Sequence, residues 1–123
     1  MVTFDTVRAF ALTLPETEER PSYGTPAFRV RNKLFARLRE DGELLVVRIG
    51  FFERDVLIAD NPATFSVTPH YQSSPMVLVR LASVEPDELQ ELLTEAWRFA
   101  APKRLVASYD AVPRRCSSSQ LLQ

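Results

Sequence analysis

The sequence predicts an α+β domain, an antiparallel β-sheet with helices packed on it and a long helix near the C-terminus. Between residues 27 and 48 the cations Arg29 and Arg31, Lys33, Arg37 and Arg39, and Arg48 fall on alternating positions, the period of half-buried strands. Helix-spaced apolar stripes flank that region over residues 3–14 and 86–100. Strands and helices are grouped rather than strictly alternating, which argues against a doubly wound parallel sheet.

Residues 3–14 read as a first helix, with Phe4, Val7, Phe10, Ala11 and Leu14 on one face, Thr3 as its N-cap and Pro15 as its stop. Residues 16–23 read as a polar approach to the sheet. Gly24-Thr25-Pro26 is turn chemistry, and residues 27–31 follow as a strand with Phe28 and Val30 inward. Asn32-Lys33 is the expected hairpin turn, returning a strand over 33–39 with Leu34, Ala36 and Leu38 on one face. Phe35, Arg37 and Arg39 are then expected on the other face. Asp41-Gly42 is a stronger hairpin signal, and the mostly apolar run 43–49 reads as a central third strand.

After Gly50, residues 52–59 read as a short helix with Phe52, Val56 and Ala59 inward and Glu53, Arg54, Asp55 and Asp60 in water. Residues 64–67 read as a short strand, 68–75 as a loop carrying His70 and Tyr71, and 76–82 as a strand. Pro86 suits a first helical position, with Asp87 and Glu88 in the positive first turn. Leu89, Leu92, Leu93, Ala96, Trp97 and Ala100 complete that helix's apolar stripe, and a further helical turn is expected over 102–108.

The 123 residues fit one domain, 1–108, with residues 109–123 read as a disordered polar tail. Fifteen Lys and Arg against sixteen Asp and Glu give a net charge of −1, but the charge is polarised. Residues 20–48 hold seven cations and three anions, whereas residues 83–97 hold five anions and no cation. The lone Cys116 is consistent with a cytoplasmic location. There is neither a signal-peptide pattern nor an apolar run long enough for a bilayer, so no membrane partner is expected.

Gly24-Thr25-Pro26-Ala27-Phe28-Arg29-Val30 with Lys33-Leu34-Phe35-Ala36 resembles the core motif of the MmcQ/YjbR family. His70-Tyr71 leading into Met76-Val77-Leu78-Val79-Arg80-Leu81 resembles it too, as does Ala96-Trp97-Arg98 with Ala101-Pro102-Lys103-Arg104-Leu105. The chain departs from that pattern at Ser73-Ser74, where a glycine is common. The resemblance implies a bacterial α+β domain similar to the double-wing DNA-binding domain of a phage transcription factor, whose sheet face touches DNA. It implies no catalytic residues.

The candidate nucleic-acid set is Arg29, Arg31, Lys33, Arg37, Arg39, Arg48 and Arg80, with Phe35 as a base stacker. On adjacent strands these cations would repeat at roughly 5–7 Å, close to the spacing of phosphates. A solvated strand face is the ordinary alternative. The expected partner is DNA or another nucleic acid, and the expected state a monomer or weak homodimer. The alternative is a protein-interaction module using the acidic helix or unpaired aromatics: within Trp97/Phe99 and within Phe51/Phe52, the two rings cannot both point inward. An enzymatic reading centred on His70 lacks a nucleophile or second acid, and no enzyme is expected. Cys116 has nothing to activate it, and one His with one Cys make no metal site, so no cofactor is expected.

Overall fold

A computed structural model describes residues 2–21, 24–39, 42–69 and 71–111. His70, Asp41, Cys116 and the expected tail from residue 112 onward lie outside the described residues. The elements in chain order are α1 (Phe4–Ala11), β1 (Thr17–Glu19), β2 (Ala27–Val30), β3 (Lys33–Leu38), β4 (Leu44–Arg48), α2 (Phe51–Asp60), β5 (Phe65–Ser66), β6 (Met76–Arg80), α3 (Pro86–Ala100) and α4 (Lys103–Ala111). The described strands form one antiparallel sheet in the order β1-β2-β3-β4-β6-β5.

One sheet face builds the core. Phe28 and Val30, Leu45 and Val47, and Val77 and Val79 meet Leu89, Leu93, Ala96 and Trp97 of α3 and Val7 and Ala11 of α1. These apolar positions share a face because they lie two apart on strands and three or four apart on helices. Thr3 caps α1 by accepting from the Thr6 N–H, and Pro86 opens α3. The Trp97 indole N–H donates to the Pro15 carbonyl at 3.0 Å, tying α3 to the turn after α1.

Several expectations are corrected. Residues 17–19, read as an approach segment, form the edge strand β1, which Arg8 of α1 holds through a two-pronged contact to Glu19 at 2.7 and 3.0 Å. The β2–β3 turn is Arg31-Asn32, one residue earlier than read. Both have positive φ, 51° and 70°, as a type I′ hairpin requires. The register shifts along β3: Arg29 faces Leu34 while Phe28 faces Ala36, leaving Phe35 as the extra residue of a β-bulge. The bulge turns Phe35 into the core, fully buried beside Ala36, so Phe35 parts from Arg37 and cannot stack on a base. Helix α4 extends to Ala111, three residues past its expected end.

The largest correction concerns α2. Its expected inner face points outward: Phe52 is 76 % exposed, and Val56 and Ala59 are exposed too. Arg54, expected in water, is only 5 % exposed. Its guanidinium donates to the carbonyls of Tyr71, Gln72, Ser74 and Met76 at 2.9–3.3 Å. A buried charge persists where most of its donors are satisfied, and four backbone carbonyls take both Nη groups of this one, leaving only Nε without an acceptor. Anchoring Arg54 inward fixes the roll of α2 and leaves Phe52 and Val56 on its free side.

Candidate functional site

The structure brings part of the candidate nucleic-acid set together. Arg29, Arg37 and Arg80, on three strands as expected, point to the sheet face opposite the core. Arg37 is 8 % exposed, donating to the Thr25 hydroxyl and the Tyr71 hydroxyl, each at 2.9 Å. Arg29 faces Glu18 across β1–β2, and the Arg80 guanidinium lies 3.8 Å from the Glu43 carboxylate. Arg31 is held at the hairpin tip by Glu16, whose carboxyl it pulls below the ordinary range through that hydrogen bond. Lys33 is exposed at the start of β3, and Arg39 is half-buried just after its end. Arg48 turns to α3, its guanidinium 4.8 Å over the Phe99 ring. A single outward platform of guanidiniums is therefore not assembled.

The described residues form a concave site elsewhere. A cleft of about 440 Å³ runs between α2 and α3, with Ile49, Val56, Leu57 and Leu92 along its apolar floor and Phe52 and Phe99 at its rim. Phe99 is 51 % exposed, on the side of α3 away from the buried Trp97. Glu53 of α2 and Glu88, Glu91 and Glu95 of α3 add carboxylates, and Arg48 is the one cation among the lining residues. Glu88, Glu91 and Glu95 share one helix face over about 10 Å. Burial, then the charges of Asp60, Glu91 and Glu85, raise the Glu88 carboxyl above its ordinary value. Asp60 also closes α2 with no basic residue in the last turn, where the helix dipole favours a cation. The cleft thus combines uncovered apolar surface with a row of carboxylates, of which Glu95 is partly offset by Arg98, 3.6 Å away on the same helix.

Part of this site was visible in the sequence: the acidic run, and the aromatic pairs that cannot both point inward. The α2 contribution was missed, because an arginine flanked by Glu53 and Asp55 reads as solvent-facing until its carbonyl partners are seen. Among the described residues no helix is long and apolar enough to cross a membrane, and no group of His, Cys, Asp or Glu is arranged to hold a metal ion.

Comparison with known proteins agrees with this architecture. The crystal structure of Deinococcus radiodurans protein DR2400, a DUF419 domain, superposes with a TM-score of 0.74 over 96 % of this chain and 94 % of that one. At 20 % sequence identity the likeness establishes the fold alone. Uncharacterized protein Rv2570 of Mycobacterium tuberculosis and uncharacterized protein Mb2600 of Mycobacterium bovis are each 35 % identical to this chain. Each alignment covers 89 % of this chain and 96 % of the relative. The YjbR family model matches residues 12–99, and the chain belongs to the YjbR family.

Proposed function

We propose that this chain is a protein-interaction module whose α2–α3 cleft takes a cationic amphipathic polypeptide segment. The observation that carries the reading is the convergence of Phe52, Val56 and Phe99, all exposed, on one cleft walled by Glu53, Glu88, Glu91 and Glu95. Apolar side chains of the partner would fill the floor, and its lysines or arginines would meet the carboxylates. Nucleic-acid contact is the competing reading. It keeps Arg29, Lys33, Arg39 and Arg80 as accessible cations, but Phe35 and Arg37 are buried, and Arg31, though exposed, is paired with Glu16.

The test is a fluorescence-anisotropy titration with a labelled synthetic helix of leucines and lysines, beside a scrambled peptide of equal charge and a labelled DNA duplex. The amphipathic helix is expected to saturate and to bind more tightly than the scramble. Phe52→Ser with Phe99→Ser is expected to weaken it about tenfold or more. Duplex binding that falls steeply with salt, with peptide affinity indifferent to those two substitutions, would overturn the reading in favour of nucleic acid.

A further inference from the structure

We propose that Arg48, stacked on Phe99, is a carboxylate-reading end of the α2–α3 cleft, so that the docked segment carries an anionic group there and cations along the rest. The inference rests on the cleft being the binding site and adds the direction in which the partner lies.

Arg48 is half-buried, and its Nε–H is buried without a hydrogen-bond partner. Arg54 shares that orphaned Nε–H, but its Nη groups are held by four backbone carbonyls. Among the described residues no carboxylate forms an ion pair with it; its one side-chain partner is the Phe99 ring. A buried donor without an acceptor has a desolvation cost that a bound acceptor would remove. Contact with an aromatic face holds the guanidinium in place, and its planar fork of donors is suited to receive a carboxylate by two parallel hydrogen bonds.

The remaining charge of the cleft makes this end selective. Glu53, Glu88, Glu91 and Glu95 repel an anion elsewhere in the cleft, and Arg48 repels a cation at its own end. From Glu88 to Phe99 the α3 wall is about 16 Å long, roughly three helical turns of a docked segment. The anionic group is a carboxylate, supplied either by a chain terminus or by an Asp or Glu side chain.

Three versions of the leucine–lysine peptide separate these sources: a free C-terminal acid, a C-terminal amide, and an amide with Asp as its last residue. Wild-type protein is expected to bind the free acid about tenfold more tightly than the plain amide, the scale of one charge-assisted hydrogen-bond pair. Arg48→Gln should bring the two to equal affinity, and Arg48→Lys should keep only part of the preference. The Arg48 Nε–H resonance should shift with the free acid and not with the amide, a readout independent of either variant's stability. If the Asp-amide matches the free acid, the site reads carboxylates in general; if it matches the plain amide, the site reads a chain terminus. Equal wild-type affinity for acid and amide, with the loss on Phe52→Ser and Phe99→Ser intact, would overturn the role of Arg48 and leave the cleft reading standing. Absence of any cleft-dependent peptide binding would overturn both.

Discussion

Nη2 of Arg37 donates to the Tyr71 hydroxyl at 2.9 Å, a bond across 34 residues of sequence that fastens the 71–75 turn region to the middle of the sheet. Nη1 of the same residue donates to Thr25 at 2.9 Å, so one guanidinium ties together the start of β2, the strand β3 and the segment before β6. Such an arginine is part of the fold rather than a surface charge. Arg37→Met should cost about 2–3 kcal/mol, because polar groups arranged around a buried charge lose it. Tyr71→Phe should cost about 1 kcal/mol. Urea unfolding of both variants checks this; a stability unchanged by Arg37→Met would show the guanidinium to be dispensable for folding, as a phosphate-contacting surface residue is.

Phe35 gives a similar contrast. Fully enclosed by the core, it should lose about 3–5 kcal/mol on Phe35→Ala, the range for emptying an aromatic site. A base-stacking residue on a solvent face would change binding and leave the melting temperature nearly untouched. Thermal melts of Phe35→Ala distinguish the two roles directly.

The antiparallel meander, the core positions of β2, β4 and β6 and the whole of α3 are legible in the sequence, because period and turn chemistry agree there. What is not legible has one cause in each place. The β-bulge at Phe35 adds a residue to β3 without changing its composition, so simple alternation places Phe35 with Arg37. β1 has no apolar alternation and owes its place to pairing with β2 and to the Arg8–Glu19 contact. α2 is a short helix whose inner face is chosen by Arg54 and four carbonyls rather than by its apolar stripe. The acidic wall of the candidate site was readable as composition; its pairing with Phe52 and Val56 required knowing which way α2 rolls.

The Glu88 carboxyl leads to a pH-dependent stability. Its pKa lies above the ordinary 4.5, chiefly from burial and then from Asp60, Glu91 and Glu85. A raised carboxyl means that the folded state holds the proton longer than the unfolded one. Stability therefore falls as pH rises from 4.5 through the raised value and stays lowered above it. Glu88→Gln should remove that dependence, giving a gain of about 0.3 kcal/mol at neutral pH, the scale of a like-charge helix pair, and none below the window. Melting curves of both proteins on the two sides of the window check the sign. The same carboxyl should release its proton when a lysine or arginine docks beside it, so peptide affinity should weaken on acidification through that range in the wild type and less in Glu88→Gln.

Arg54 carries the sharpest structural prediction, because fold and cleft meet in it. Nη1 donates to the carbonyls of Ser74, Tyr71 and Met76 at 2.9, 3.2 and 3.3 Å, and Nη2 donates to that of Gln72 at 3.0 Å. A lysine ammonium offers three donors from one point and cannot span that arc of acceptors; a methionine offers none. Arg54→Met should cost about 3 kcal/mol and Arg54→Lys somewhat less. Amide exchange over residues 71–76 should accelerate in both variants more than exchange in the core strands. Because Arg37 holds Tyr71 within the same segment, the Arg37→Met and Arg54→Met costs should not add: once one anchor has freed the segment, the other has less to hold. Arg54 also sets the roll of α2, so its loss should lower affinity for the amphipathic peptide although it lies on the buried side of the helix. Additive unfolding costs with unchanged peptide affinity would show the 71–76 segment and the cleft to be independent.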